Sequence, residues 1–204
     1  MTVRTELILG GQRSGKSRRA ELLARDWLAQ LSSHKAVLIA TATAWDTEMT
    51  ERIARHQQDR AERVPSMQTV EEPIELALAI QNHSNPQTLV VVDCLTLWLT
   101  NLLMPHDADQ KSLKTVKNGL NSESNKPLDQ LIRARVASLL IAIEHANGPV
   151  VLVGNEIGLG VIPMGRETRV FVDTLGRLNQ DVAAVCARVT FMAAGLPLAL
   201  KGQL

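Results

Sequence analysis

Between Gly10 and Ser17 the chain reads GGQRSGKS. Gly10, Gly15, Lys16 and Ser17 meet the spacing G-x-x-x-x-G-K-[ST], a loop that cradles polyphosphate. Each residue type has a physical task there. Glycines let backbone N–H groups curl around an anion with no Cβ in the way. Lys16 brings a compact positive charge to β- and γ-phosphates, and Ser17 offers a hydroxyl to Mg²⁺. Gly11, Gln12, Arg13 and Ser14 fill the loop. An apolar run, Glu6 to Leu9, precedes it, and a helix-like stretch follows with its positive end toward the anion.

Asp93 closes the apolar run TLVVVD. An acid at that place supplies a further Mg²⁺ contact, usually through water. It can equally cap the next helix, and the two roles are compatible. The stretch AWDTEMTERIARHQQDR, Ala44 to Arg60, adds a different chemistry. If helical, it puts Glu48, Arg52, His56 and Arg60 four apart on one stripe. Such a stripe is either a solvated face laced with ion pairs or a histidine set among phosphate-clamping arginines. In the second case the neutral imidazole can attack phosphorus. A second dense patch runs from Gly154 to Gln180 and begins with Asn155 and Glu156 at a strand end, where open α/β sheets bind ligands.

The elements that must position these residues follow from periodicity. Short strands are expected at Glu6–Leu9, Ala36–Thr43, Met67–Val70, Thr88–Asp93 and Pro149–Gly154, with two closing strands around Gly195. Helices are expected from Lys16 to about Gln30, from an Asp46 cap to about Arg60, after Pro73, over Leu95–Leu103, over Leu128–Ala146 and within Arg166–Ala187. Strands that are apolar throughout and alternate with helices predict a mainly parallel α/β sheet covered on both faces, with an antiparallel edge. The 204 residues suit a single domain, 1–204. Residues 104–127 are polar without apolar period and read as a surface excursion.

Composition excludes several classes. With 22 basic and 21 acidic residues the net charge is +1, so no nucleic-acid partner is expected. Aromatics are 2%, too few to stack single strands. No stretch reaches the roughly 18 apolar residues of a membrane span, and the start lacks a signal-peptide pattern. Cys94 and Cys186 have no zinc spacing and read as reduced core residues of a cytoplasmic protein. His34, His83, His106 and His145 show no metal spacing and read as surface residues. A switch GTPase is disfavoured: DTLG at Asp173 follows NKPLD at Asn125, the reverse of the required order, and Asp129 stands one place late.

Together these stretches resemble one family, the bifunctional adenosylcobinamide kinase / adenosylcobinamide-phosphate guanylyltransferases of cobalamin biosynthesis. The resemblance lies in GGQRSGKS, IATA (Ile39–Ala42), D-x-E-M-x-x-R-I-x-x-H-x-x-x-R (Asp46–Arg60), TVEEP (Thr69–Pro73), VVDCLTLWLTNLL (Val91–Leu103) and NEIGLGVIP through NQ (Asn155–Gln180). It departs at Ala61, Met67 and Ala187, where the family usually has proline, tryptophan and an acid. The resemblance implies a RecA-like P-loop NTPase fold and a homotrimer. It implies phosphorylation of adenosylcobinamide by ATP or GTP, then transfer of GMP from GTP to adenosylcobinamide phosphate. On this chain it implies His56 as the guanylylated residue, Lys16 as the phosphate-loop lysine, Arg52, Arg60 and Glu72 as nucleotide-binding, and Ser17 and Asp93 at Mg²⁺. A single-step small-molecule kinase and a nucleotide-sensing module without chemistry are the alternatives.

Overall fold

The structure, a computed structural model, describes residues 4–44, 46–104 and 126–204. Most of the 104–127 excursion, with His106, lies outside the described residues. Strands are β1 (Thr5–Gly10), β2 (Lys35–Ala40), β3 (Gln68–Glu71), β4 (Thr88–Asp93), β5 (Val150–Asn155), β6 (Arg188–Ala193) and β7 (Leu196–Lys201). Helices are α1 (Lys16–Leu28), α2 (Thr47–Arg63), α3 (Leu76–His83), α4 (Leu95–Leu103), α5 (Lys126–Glu144) and α6 (Arg166–Val185).

All strands join one sheet in the order β3-β2-β4-β5-β1-β6-β7. Among the described strands the pairings are parallel except β6 with β7. The apolar runs occupy the middle because they are buried on both faces: all of β1, and all but the last residue of β4 and β5. Alternation splits their side chains between two cores. Leu7, Leu9, Val90, Val92 and Leu152 pack under α3 to α6, while Ile8, Val91 and Val153 pack under Ala20, Ala24 and Trp27 of α1. Each fully buried aliphatic side chain contributes roughly 1.5–3 kcal/mol. This is the mainly parallel α/β sheet with an antiparallel edge that the sequence predicts.

Glu6 carries a charge into the interior of the sheet. Glu6 is buried in β1 and accepts from Arg19 Nε at 3.0 Å, from an Arg188 guanidinium nitrogen at 3.2 Å and from Thr190 Oγ1 at 2.8 Å. The acid thereby joins β1, α1 and β6 just ahead of the phosphate loop. Breaking such a buried pair from one side costs about 3–5 kcal/mol.

Several boundaries differ from expectation for local reasons. β2 stops at Ala40 rather than Thr43, because Thr41 turns its hydroxyl to the backbone of Cys94, accepting from the N–H at 2.8 Å and donating to the carbonyl at 2.7 Å. α2 runs on to Arg63, and Val64 N–H closes its last turn on Arg60 at 2.8 Å. His34 is not a free surface residue: it is half-buried and stacked on Trp27 with ring centroids 3.6 Å apart. His83 is half-buried and His145 exposed. Both cysteines are free and buried.

Candidate active site

The loop after β1 curls back over the start of α1. Gly10 has φ +153°, and a Cβ there would lie 2.5 Å from the Met192 carbonyl oxygen and 2.6 Å from Ser14 Oγ. Gly15, the residue before α1, is left-handed at φ +100°. Glycine at these two positions is therefore a steric requirement. Arg13 also takes a left-handed conformation, with φ 55°. The loop closes on itself through Ser14 N–H to Gly11 O at 3.3 Å.

Lys16 is buried and folds over this loop. Its Nζ donates to Gly11 O at 2.6 Å and lies 3.4 Å from Ser14 Oγ. Burial pushes its pKa below the ordinary 10.5; the field of Asp93 opposes that shift and the field of Arg52 adds to it. Ser17 and Asp93 line the same cleft as Lys16. Asp93 reaches it from the end of β4, the strand beyond β5 from β1.

That cleft has a volume of about 980 Å³. Its far wall is α2, whose start is capped by Asp46 accepting from Met49 N–H at 2.7 Å. Glu48, Arg52, His56 and Arg60 all line the cleft, so the predicted stripe faces the phosphate loop. His56 is exposed on the cleft side, and Arg52 and Arg60 are half-buried. The structure thus brings His56, both arginines, Lys16, Ser17 and Asp93 to one cavity.

Glu72 is placed differently. Its Oε1 accepts from Ile74 N–H at 3.0 Å and Glu75 N–H at 2.8 Å, which secures the approach to α3. The neighbouring Glu71 lines the cleft instead. In an extended chain adjacent side chains point oppositely, so the doublet EE offers two acids of which one faces each way. The sequence signal was the doublet; which acid faces the cleft is set by the pairing of Glu71 with Ala40.

Asn155 lines the cleft beside the phosphate loop, at the register position of Gly10. Its N–H donates to Thr96 Oγ1 at 2.8 Å, and its carbonyl accepts from Asn179 Nδ2 at 3.1 Å. Glu156 N–H donates to Gly10 O at 3.1 Å, and its carboxylate accepts from Gly158 N–H at 2.8 Å. The loop beyond is apolar and open: Leu159, Val161, Ile162 and Met164 are 77–96% exposed.

The donor set fits Mg²⁺. Ser17 and Asp93 offer one hydroxyl and one carboxylate, and Mg²⁺ in nucleotide sites takes one or two carboxylates plus phosphates and water. Among the described residues no cluster of three or more His, Cys, Asp and Glu is present to form an all-protein cage. Among the described residues no helix is long and apolar enough to cross a membrane.

Comparison with known proteins gives a consistent picture. A sequence model of the family described as cobinamide kinase / cobinamide phosphate guanyltransferase matches residues 6–200. The chain is 42% identical to the bifunctional adenosylcobalamin biosynthesis protein CobP of Pseudomonas aeruginosa, over 97% of this chain and 98% of that protein. It is 35% identical to the bifunctional adenosylcobalamin biosynthesis protein CobU of Escherichia coli, over 96% of this chain and 98% of the other. The protein of the same name from Salmonella typhimurium is 31% identical, over 96% and 98%.

Proposed function

The chain belongs to the cobinamide kinase / cobinamide phosphate guanyltransferase family, and from that premise we propose that it catalyses both reactions in one cleft. It phosphorylates the aminopropanol hydroxyl of adenosylcobinamide with ATP or GTP. It then transfers GMP from GTP to that phosphate, giving adenosylcobinamide-GDP and pyrophosphate. The observation that supports this reading is the common cavity: His56, flanked by Arg52 and Arg60, lines the same cleft as Lys16, Ser17 and Asp93.

In the first reaction Lys16 and the loop amides hold the β- and γ-phosphates and meet the charge that spreads as the γ-phosphoryl moves. Ser17 and Asp93 would hold Mg²⁺, which supplies positive charge to the phosphate oxygens when bound. In the second reaction the neutral His56 ring attacks the α-phosphorus of GTP. A P–N bond forms, and the bond to the bridging oxygen breaks as pyrophosphate leaves. A phosphate oxygen of adenosylcobinamide phosphate then attacks the same phosphorus and the P–N bond breaks, restoring the ring. In this second reaction Arg52 and Arg60 clamp phosphate oxygens of GTP beside the ring. Glu72 serves the nucleotide site indirectly, by fixing the backbone next to Glu71.

We further take the protein to be a cytoplasmic homotrimer whose 204 residues form one domain. The exposed apolar loop after Glu156 supports a buried contact in the assembly. Adenosylcobinamide supplied with GTP, its products resolved over time, tests the whole reading. The phosphorylated compound should appear first and then give way to the GDP-linked one. If phosphorylation were the only reaction, the single-step kinase alternative would stand.

A further inference from the structure

We propose that Arg63 is a positioning residue that ties the histidine helix to the phosphate-loop helix, serving guanylyl transfer rather than phosphorylation. This rests on the reading of His56 as nucleophile. The need for a tie comes from α2 itself, which has 17 residues and no buried side chain. A helix with no residue in the core is not held in place by packing of its own face.

Val64, just past the last turn, is buried against the α1 side of the core, and Arg63 adds a polar tie to α1 at the same end. One guanidinium nitrogen donates to Glu21 Oε2 at 2.7 Å, and the other donates to Asp59 Oδ2 at 3.1 Å. Glu21 is buried in α1, one turn beyond Ser17 and on the same side of the helix. Asp59 is one turn back along α2 from Arg63, and His56 is the next turn on. The planar fork thus spans both helices, from Glu21, one turn along α1 from Ser17, to Asp59, three residues along α2 from His56. Chemistry explains why the two reactions should respond differently. Attack by His56 needs the ring in line with the α-phosphorus, and a misplacement of about 1 Å can cost on the order of 100-fold. Phosphorylation draws on Lys16, Ser17 and Asp93, none of them on α2.

The test compares the full-length protein with Arg63→Ala, Arg63→Lys, Glu21→Gln, the pair Arg63→Ala/Glu21→Gln, and His56→Ala. Two rates are read: covalent labelling by α-labelled GTP alone, and phosphorylation of adenosylcobinamide by ATP. Arg63→Ala should slow labelling about 10- to 100-fold at saturating GTP, with the half-saturating GTP concentration unchanged. Phosphorylation should stay within about 2-fold, and the double variant should be no slower than Arg63→Ala, because both changes remove one contact. Arg63→Lys, able to reach one carboxylate but not fork to two, should recover part of the loss. Equal losses in both reactions, or labelling at the parent rate, would overturn the proposal. If Arg63→Ala does not fold, the ratio of the two rates in Glu21→Gln decides in the same way. His56→Ala separates the premise: a label retained there shows that the nucleophile is misassigned, whatever Arg63 does.

Discussion

The backbone N–H of Gly195 donates to the carbonyl of Ser14 at 3.0 Å. The turn between β6 and β7 therefore braces the phosphate loop from behind. That turn has positive φ at both Ala194 and Gly195, as a tight two-residue hairpin requires. A Cβ on Gly15 would sit 3.3 Å from Gly195 Cα while the residue is held at φ +100°.

Gly15→Ala is accordingly expected to strain the loop by about 1–3 kcal/mol. Its signature is weakened binding of a non-hydrolysable ATP analogue, by roughly 10-fold or more, with a smaller change in melting temperature. Calorimetric titration beside a thermal melt measures both. Unchanged affinity would mean that the loop does not need this backbone conformation.

If Lys16 holds the phosphates as proposed, it should set an alkaline limit on nucleotide binding. Its pKa lies below 10.5 because burial disfavours the charged form. The sign for stability follows. The folded chain holds this proton less tightly than the unfolded one, so the contribution of Lys16 to stability rises as pH climbs from the folded pKa toward 10.5. Ligand binding moves the other way, since the phosphates need the ammonium. Affinity for the ATP analogue should begin to fall at a pH below 10.5, and Lys16→Arg should flatten that limb because guanidinium keeps its charge. An affinity constant up to pH 10.5 in the parent protein would contradict this.

Glu71 and Glu72 should separate cleanly. Removing Glu72 leaves two N–H groups without their acceptor, so Glu72→Ala should cost about 1 kcal/mol of stability. Glu71→Ala removes a cleft carboxylate that makes no such bond, and should change nucleotide affinity with stability within about 0.5 kcal/mol. Denaturant melts paired with nucleotide titrations check the two; the opposite assignment of effects would refute it.

The two thiols should be inert in the folded protein. Burial pushes both Cys94 and Cys186 up to about 12, so little thiolate forms near neutral pH. Ellman's reagent should read neither cysteine in the native protein at pH 8 and both after denaturation. Rapid native reaction of either would show that its surroundings open to solvent.

Much of this is legible in local sequence pattern. The all-apolar runs in TLVVVD and PVVLVG read as doubly buried strands, one residue off at β5, and the glycines between a strand and a helix signalled the turn. The four-residue spacing from Glu48 to Arg60 fixed the stripe, though not the direction in which it faces. What could not be read depends on partners distant in sequence. Nothing near Arg63 signals Glu21 on another helix, and nothing near Ser14 signals Gly195. Glu6 resembles an ordinary strand start until Arg19, Arg188 and Thr190 converge on it. Thr41 looked like a strand residue because its hydroxyl's competing bond to Cys94 exists only after β2 and β4 pair.

The most direct measurement is mass spectrometry of the protein after incubation with GTP and Mg²⁺ alone, with peptide mapping of any added mass. The account predicts one GMP on the peptide containing His56, in a bond labile to acid and stable to alkali, and no adduct in His56→Ala. An unmodified His56, or a GMP carried by any other residue, would contradict it.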